Sequence, residues 1–232
     1  MLNFVGTSGF SYKEWRGSFY PDDLADKQML QFYAERLRAV EINNTFYRMP
    51  RKELLSGWCE KVPGSFRFVL KASQKITHTA RLGDLDALGY FLKTSLVLGE
   101  RRGPILFQLP PFFRKDTEKL ATFLKALEPG VLAAFEFRHP TWFDPEVFGL
   151  LKDHGAALCG GDVDEEGRSP PLERTADWGY LRLRRSEYEP GAIANWATRI
   201  KQLGWQQVFI FFKHETQGPA LALQLSQLLD QP

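Results

Sequence analysis

The sequence predicts one closed (β/α)8 barrel with an irregular sixth helix, and three observations support this fold class. Eight short apolar, β-rich segments recur along the chain, and helical patterns lie between most of them. The length of 232 residues suits a single barrel. No linker rich in Ser, Gly or Pro interrupts the alternation, so residues 1–232 are expected to form one domain. A doubly wound sheet is disfavoured, because no G-x-G-x-x-G follows the first strand and no Walker-A loop occurs.

The predicted strands, in chain order, are 2–6, 39–43, 66–71, 104–109, 132–137, 156–160, 179–184 and 208–212. Apolar stripes with polar residues between them predict helices at 24–37, 87–98, 119–127, 145–154, 192–203 and 220–229, and a shorter one at 56–61. The sixth connection, residues 164–176, contains Gly167, Pro170 and Pro171. These residues favour a loop with little helix.

Composition excludes several classes of protein. Hydrophobic residues make up 44% and charged residues 25%, which is ordinary globular usage and argues against disorder. The formal charge of +2 gives no general argument for nucleic acid or an anionic membrane, so a basic patch would have to be local. Two cysteines are too few for a disulfide framework. Without a signal peptide or a long apolar run, we expect a cytoplasmic protein outside the membrane; the sequence indicates no oligomeric state.

Most of the predicted strands begin apolar and end polar. Alternation places Glu41 with Asn43 on one strand face, Glu136 with Arg138 on another, and Arg182 with Arg184 on a third. Both faces of a parallel barrel strand are covered, so these side chains are not simply solvated. Because barrel enzymes keep their chemistry at the carboxyl ends of the strands, this pattern predicts a site there.

We predict four catalytic candidates in this group: Glu41, Lys71, Glu136 and Asp162. Either glutamate would be the acid/base, and Lys71 would alternatively form a Schiff base, since a desolvated lysine beside other cations loses its proton readily. The predicted substrate-binding residues are Asn43, Tyr47, His78, Gln108, Arg138, Arg182, Arg184, Lys213 and His214. The alternative, which the sequence leaves open, is an ion-pair network that only closes the top of the barrel.

No metal or other cofactor is expected. The chain has four histidines and lacks H-E-x-x-H, His-x-His and C-x-x-C. The Arg and Lys residues around Glu136 and Asp162 would also oppose a cation.

The leading functional hypothesis is an enzyme acting on a small anionic substrate, such as a phosphorylated sugar or a nucleotide fragment. Its anion site would lie at the ends of the seventh and eighth strands, where Arg182, Arg184, Lys213 and His214 precede a helix that begins near Gly218. Two alternatives remain. One is a nucleic-acid-binding barrel, by analogy of fold with endonuclease IV, with aromatic residues near the strand ends stacking on bases. The other is a ligand-binding module without catalysis.

Several distinctive motifs are spread over the chain: GTSGFSY at 6–12, VEINNTFYR at 40–48, ITH at 76–78, QLPP at 108–111, FEFRH at 135–139 and YLR at 180–182. Together they resemble the motifs of the YecE-like family, known as domain of unknown function 72. The resemblance implies a TIM-type barrel and supplies no activity. Two departures from the family pattern, Arg184-Arg185 and Lys213-His214-Glu215, add functional groups at the strand ends.

Overall fold

Eight parallel strands close into a barrel in a computed structural model that describes residues 1–165 and 169–231. Each strand pairs with its sequence neighbours, and β1 pairs with β8. The strands are β1 Leu2–Ser8, β2 Ala39–Ile42, β3 Arg67–Lys71, β4 Arg102–Gln108, β5 Ala133–Glu136, β6 Ala157–Asp162, β7 Trp178–Leu183 and β8 Gln207–Phe212. All eight predicted strands are therefore found, and the predicted barrel is confirmed.

Helices cover the outer face of the barrel. They are α1 Met29–Ala34, α2 Asn44–Tyr47, α3 Lys52–Cys59, α4 Leu85–Ser95, α5 Thr117–Lys125, α6 Pro145–Asp153, α7 Ala192–Gln202 and α8 Gly218–Asp230. Within the sixth connection, the described residues 163–165 and 169–177 form no helix, as Pro170 and Pro171 lead one to expect; Gly167 lies outside the described residues.

Two connections differ from the prediction. The helix predicted at 24–37 is a 3-10 turn, Asp26–Gln28, followed by the six residues of α1. It stops early because the chain has to bring Leu37, 2% exposed, into the core before β2 begins. After β3, residues Lys75–Thr79 form a π-helical turn, a feature that periodicity does not reveal and that is frequent at functional sites.

Strand alternation divides the apolar residues into two groups. One fills the space between the sheet and the helices, as Phe68 and Leu70 of β3 do. The other fills the barrel interior with residues such as Val69, Leu106 and Phe209. Because the interior side chains turn polar toward the carboxyl ends, a layer of charged groups lies above the apolar filling.

None of the helices in the described part of the chain is both long and apolar enough to cross a bilayer.

Candidate functional site

The polar layer at the carboxyl end of the barrel follows from the alternation of inward and outward side chains along each strand. On each strand, the last inward-facing position lies two residues beyond an apolar interior residue, as Lys71 does beyond Val69. The side chains that reach this layer from five strands are Glu41, Lys71, Gln108, Glu136 and Arg182. All five are 9% exposed or less. The structure therefore brings together three of the four predicted catalytic candidates.

Arg182 is the centre of the layer because it bridges the two buried glutamates. Its Nη1 lies 2.7 Å from Oε2 of Glu136, and its Nη2 lies 2.8 Å from Oε1 of Glu41. Arg182 is 4% exposed. A buried guanidinium without such partners would destabilise the fold by several kcal/mol. The predicted role of Arg182 as an anion ligand does not fit this geometry, since both of its terminal nitrogens already bind carboxylates.

Glu41 is held by hydrogen bonds as well as by Arg182. It accepts from the hydroxyl groups of Ser8 and Tyr180, each at 2.7 Å, and from Nδ2 of Asn43 at 3.1 Å. Burial by itself raises the pKa of Glu41, but Arg182 and these three donors outweigh it and lower the pKa below the usual value. Glu41 is therefore a fixed anion at neutral pH.

Glu136 is surrounded by donors in the same way. It accepts from Nε2 of Gln108 at 2.8 Å, and Arg184 and Arg138 approach its other oxygen at 3.1 and 3.5 Å. Burial acts to raise the pKa of Glu136, yet Arg182 and then the other two guanidinium groups lower it strongly. A general acid/base needs a pKa near the working pH. The low pKa values of Glu41 and Glu136 argue against the acid/base role that the sequence suggested for them.

Lys71 is the ionisable group of the layer whose pKa lies closest to neutrality. Its Nζ donates to Oε1 of Gln108 at 2.8 Å and lies 4.0 Å from the ring centroid of Phe46. Burial, and then the positive charge of Arg182, lower the pKa of Lys71 to about 8. At pH 7 about a tenth of Lys71 is therefore an uncharged amine, which is the state required of a base or a nucleophile.

His78 lies beside Lys71 on the π-helical turn. Its ring packs edge-on against Phe46 at 4.8 Å between centroids, and its Nδ1 is 3.0 Å from the hydroxyl of Thr77. Burial, followed by the charge of Lys71, lowers the pKa of His78. The structure thus places His78 next to the candidate amine as an uncharged imidazole.

The turn that follows His78 is strained. Arg81 and Leu82 both have positive φ, at 48° and 69°, although neither is glycine. Leu82 is 1% exposed, so its packing holds the turn in this conformation. The turn leaves Arg81 exposed, 5.9 Å from the ring centroid of Phe112.

Asp162, the fourth predicted catalytic candidate, is not in this layer. It lies on the outward face of β6, and its carboxylate accepts from the backbone N–H of Arg184 at 2.8 Å, the hydroxyl of Tyr188 at 3.0 Å and Nε1 of Trp196 at 3.1 Å. These bonds connect the end of β7 with α7. The geometry therefore gives Asp162 a structural position, and we exclude it from the catalytic group.

The ends of β7 and β8 do not form the anion site in the arrangement that the sequence suggested. Arg182 and Arg184 do meet at one place, but Glu136 occupies it. His214 holds the turn that precedes α8: its Nδ1 accepts from the N–H groups of Thr216 and Gln217 at 3.3 and 3.1 Å, and its Nε2 lies 2.8 Å from the carbonyl oxygen of Ser186. Lys213 is exposed, and Tyr47, another predicted contact, is 73% exposed at the rim.

Two clefts open onto the layer from above. One has a volume of about 700 Å³ and lies over the ends of β1, β7 and β8; the other has a volume of about 780 Å³ and lies over β5 and β6. Arg184 lines both, and Glu136 and Arg138 line the second. Within the layer, Lys71 and three guanidinium groups surround the carboxylates of Glu41 and Glu136, whereas the clefts above it are also lined by Asp164, Glu165 and Glu215. The excess of positive charge therefore lies in the layer itself.

The sequence does not point to two contributors to this site, Ser8 and Tyr180, and it offers Phe46 only as one of the aromatic residues near the strand ends that could stack on bases. Tyr180 had a usable signal, because it precedes Arg182 by two residues and so shares its strand face. Phe46 follows β2 on the short α2, whose position over Lys71 depends on the fold. Over residues 1–165 and 169–231, no group of three or more His, Cys, Asp or Glu side chains is placed to hold a metal ion.

Comparison with known proteins gives a consistent result. A family model described as "Protein of unknown function DUF72" matches residues 4–232. UPF0759 protein YunF of Bacillus subtilis is 24% identical over 98% of this chain and 94% of its own length. UPF0759 protein YecE of Escherichia coli K12 is 34% identical, over 49% of this chain and 43% of its own.

Solved structures agree with the fold. A DUF72 family protein from Thermotoga maritima superposes with a TM-score of 0.86 at 26% identity, over all of both chains. Another, from Enterococcus faecalis, gives a TM-score of 0.79 at 20% identity, over all of this chain and 98% of that one.

Proposed function

The chain belongs to the DUF72 family of proteins of unknown function, and from this premise we propose that it is an enzyme acting on a small anionic substrate, phosphorylated or nucleotide-like, by acid/base chemistry at the carboxyl-end mouth of the barrel. The group that exchanges the proton is Lys71. The observation that carries the proposal is the environment of its amine, which is buried, bonded to Gln108 and has a pKa of about 8.

A lysine in this state is suited to both halves of a proton-transfer cycle. The uncharged amine accepts a proton from the substrate, and the resulting ammonium returns it to another atom. A group with a pKa near the working pH is the most effective in both roles. Gln108 holds the amine in place, and its other end is fixed by Glu136 at 2.8 Å.

The anionic part of the substrate would bind the accessible cations beside Glu136. Arg138 and Arg184 have side chains 39% and 18% exposed, so they remain accessible, in contrast to Arg182 at 4%. Guanidinium groups bind carboxylate and phosphate in bidentate geometry. The roles of Glu41 and Glu136 are to hold Arg182 and to keep the local charge balanced. No step is assigned to a metal ion, because guanidinium groups already bind both carboxylates.

We test the proposal with pyridoxal 5′-phosphate, a small anionic aldehyde that forms an imine with an uncharged amine and loses water. After reduction with borohydride, peptide mass spectrometry locates the labelled lysine. We expect Lys71 to be labelled before the exposed lysines, because its lowered pKa leaves more of its amine uncharged at neutral pH than an ordinary lysine has. Inorganic phosphate should protect it by competing for the guanidinium groups.

The matched controls separate the amine from the anion site. Pyridoxal without its phosphate should label Lys71 at least about ten-fold more slowly, since it lacks the charge-assisted contacts. The exposed Arg138→Ala variant should reduce labelling by the phosphate ester and leave labelling by pyridoxal unchanged. Labelling spread over surface lysines, with Lys71 untouched, would contradict the proposal.

Catalysis itself is tested by isotope exchange. Phosphorylated sugars and nucleotides are incubated with the enzyme in D2O and followed by proton NMR. We expect at least one compound to lose a C–H signal with the wild type and to keep it with Lys71→Met. Labelling of Lys71 without exchange of any compound would instead support a ligand-binding module without catalysis.

A further inference from the structure

Basic residues are concentrated in four neighbouring loops at the mouth of the barrel. The loops after β2, β3, β4 and β5 are residues 43–51, 72–84, 109–116 and 137–144, which we name the basic arc. The basic arc contains seven Arg and Lys residues and three Asp residues, an excess of four, whereas the whole chain has an excess of two. The positive charge of the molecule is therefore concentrated on one side of the mouth.

Four of the five arginines of the basic arc are free to bind a ligand; the fifth, Arg138, pairs with Glu136 at 3.5 Å. The two lysines of the arc are also paired, Lys75 with Asp84 at 3.3 Å and Lys115 with Asp144 at 3.0 Å. In contrast, four arginines are exposed and have no ion pair with any residue that the structure describes: Arg48, Arg51, Arg81 and Arg114. The cations that remain available carry planar guanidinium groups, which bind phosphate in bidentate geometry and stack on flat rings.

Two exposed aromatic rings belong to the same arc. Tyr47 is 73% exposed and follows β2; Phe112 is 66% exposed and follows β4. The strand between them is β3, which ends at Lys71. Both rings are therefore accessible to a ligand at the mouth of the barrel. Each ring has a supporting contact: Phe46 packs edge-on against Tyr47 at 5.1 Å, and Arg81 lies near Phe112.

We propose that the basic arc binds a single-stranded nucleic acid, with bases stacked on Tyr47 and Phe112 and phosphates bound by the exposed arginines. Alternating flat bases and phosphates match alternating rings and guanidinium groups, a combination typical of proteins that bind single strands. A duplex presents no free base faces to the rings. The inference deepens the proposed function and rests on it for one statement, that the anion reaching Lys71 is a nucleotide of this strand.

Binding is measured by fluorescence anisotropy with a labelled oligothymidylate of about twelve nucleotides, which covers the usual site size of single-strand binders. We expect saturable binding that weakens with salt. Four arginine–phosphate contacts give a slope of log K against log salt of about −3 for a single strand. The Arg48→Ala, Arg114→Ala double variant should weaken binding and reduce the slope by about one to two.

The contribution of the two rings to binding is tested by alanine substitutions, and a third exposed ring serves as the control. Tyr47→Ala and Phe112→Ala should each weaken binding by about ten-fold or more. Tyr90, on α4, is 55% exposed, so Tyr90→Ala removes a ring of similar exposure outside the arc and should change nothing. Lys93→Ala with Lys125→Ala is the matching charge control, since both lysines are exposed in the last turns of α4 and α5.

Three results would overturn the inference: no saturable binding of the oligonucleotide, equally tight binding of a duplex of the same length, or variants of Tyr47 and Phe112 that bind like the wild type. Binding to vesicles that contain phosphatidylserine, without binding of the oligonucleotide, would also overturn it.

Lys71→Met separates the two proposals, because this variant should bind the oligonucleotide normally. Labelling of Lys71 without oligonucleotide binding would contradict this inference and leave the proposed function standing. Oligonucleotide binding without labelling of Lys71 would contradict the proposed function.

Discussion

Replacing Glu136 with alanine is expected to lower the free energy of unfolding by about 3–5 kcal/mol. Glu136 is 1% exposed and neutralises Arg182 at 2.7 Å and Arg184 at 3.1 Å. Its removal leaves the buried guanidinium of Arg182 with Glu41 alone and removes the acceptor of Gln108. For a chain of this size, the midpoint of thermal unfolding should fall by roughly 10 °C.

Urea unfolding measures the loss of stability in Glu136→Ala, and Glu146→Ala serves as its control. Glu146 also pairs with a cation, Lys115 at 3.4 Å, but its side chain is 60% exposed, and its loss should cost less than about 1 kcal/mol. An equally small loss in Glu136→Ala would mean that the charged layer is solvated.

The effect of Glu136 should also depend on pH in a defined direction. The folded-state pKa of Glu136 lies below the reference value of 4.5, so its stabilisation is complete above about pH 4.5 and declines as the pH falls toward the folded-state pKa. The difference in unfolding free energy between the wild type and Glu136→Ala should therefore shrink on acidification below pH 4.5. A difference that stayed constant there would contradict the lowered pKa.

Gly161→Ala is the second substitution with a large expected effect, about 3 kcal/mol or more, or failure to fold. Gly161 of β6 has a φ of +147°, and an added Cβ would lie 2.0 Å from the carbonyl oxygen of Arg182. The neighbouring atom is backbone, so strand β7 would have to move away from β6. That movement would displace Arg182 from its two glutamates.

Gly57→Ala supplies the control for this substitution. Gly57 lies inside α3, and an added Cβ meets nothing within 4 Å, so alanine should stabilise the helix by up to about 1 kcal/mol. The two variants should thus shift the urea midpoint in opposite directions. A Gly161→Ala protein as stable as the wild type would show that β6 and β7 do not approach this closely.

Much of the charged layer could be predicted, because the alternation of side chains along a strand can be read from a short stretch of sequence. Counting alternate residues places Glu41 with Asn43 on one strand face and Glu136 with Arg138 on another. The same count places Tyr180 on the strand face of Arg182. Asp162 was misplaced because strand β6 runs two residues beyond the predicted end at 160. Counted from Leu158, which faces the helices, Asp162 faces the helices too.

Other features of the site could not be predicted, since they depend on which strands the barrel brings together. Arg182 reaches Glu41 across 141 residues of sequence, and Tyr180 reaches the same carboxylate from β7. The pKa of Lys71 depends on burial under Phe46 and on charges from other strands. The sequence shows that a lysine ends β3; only the closed barrel supplies the burial and the neighbouring charges that lower the pKa of that lysine.

The most direct measurement of the central claim is the titration of the Lys71 amine by NMR, with selectively 15N- and 13C-labelled lysine and Lys71→Met to assign the signal. We predict a pKa of about 8, which rises when inorganic phosphate is added, because a bound anion stabilises the ammonium form. A Lys71 that titrates near the ordinary value of 10.5, and whose pKa phosphate does not move, would contradict it.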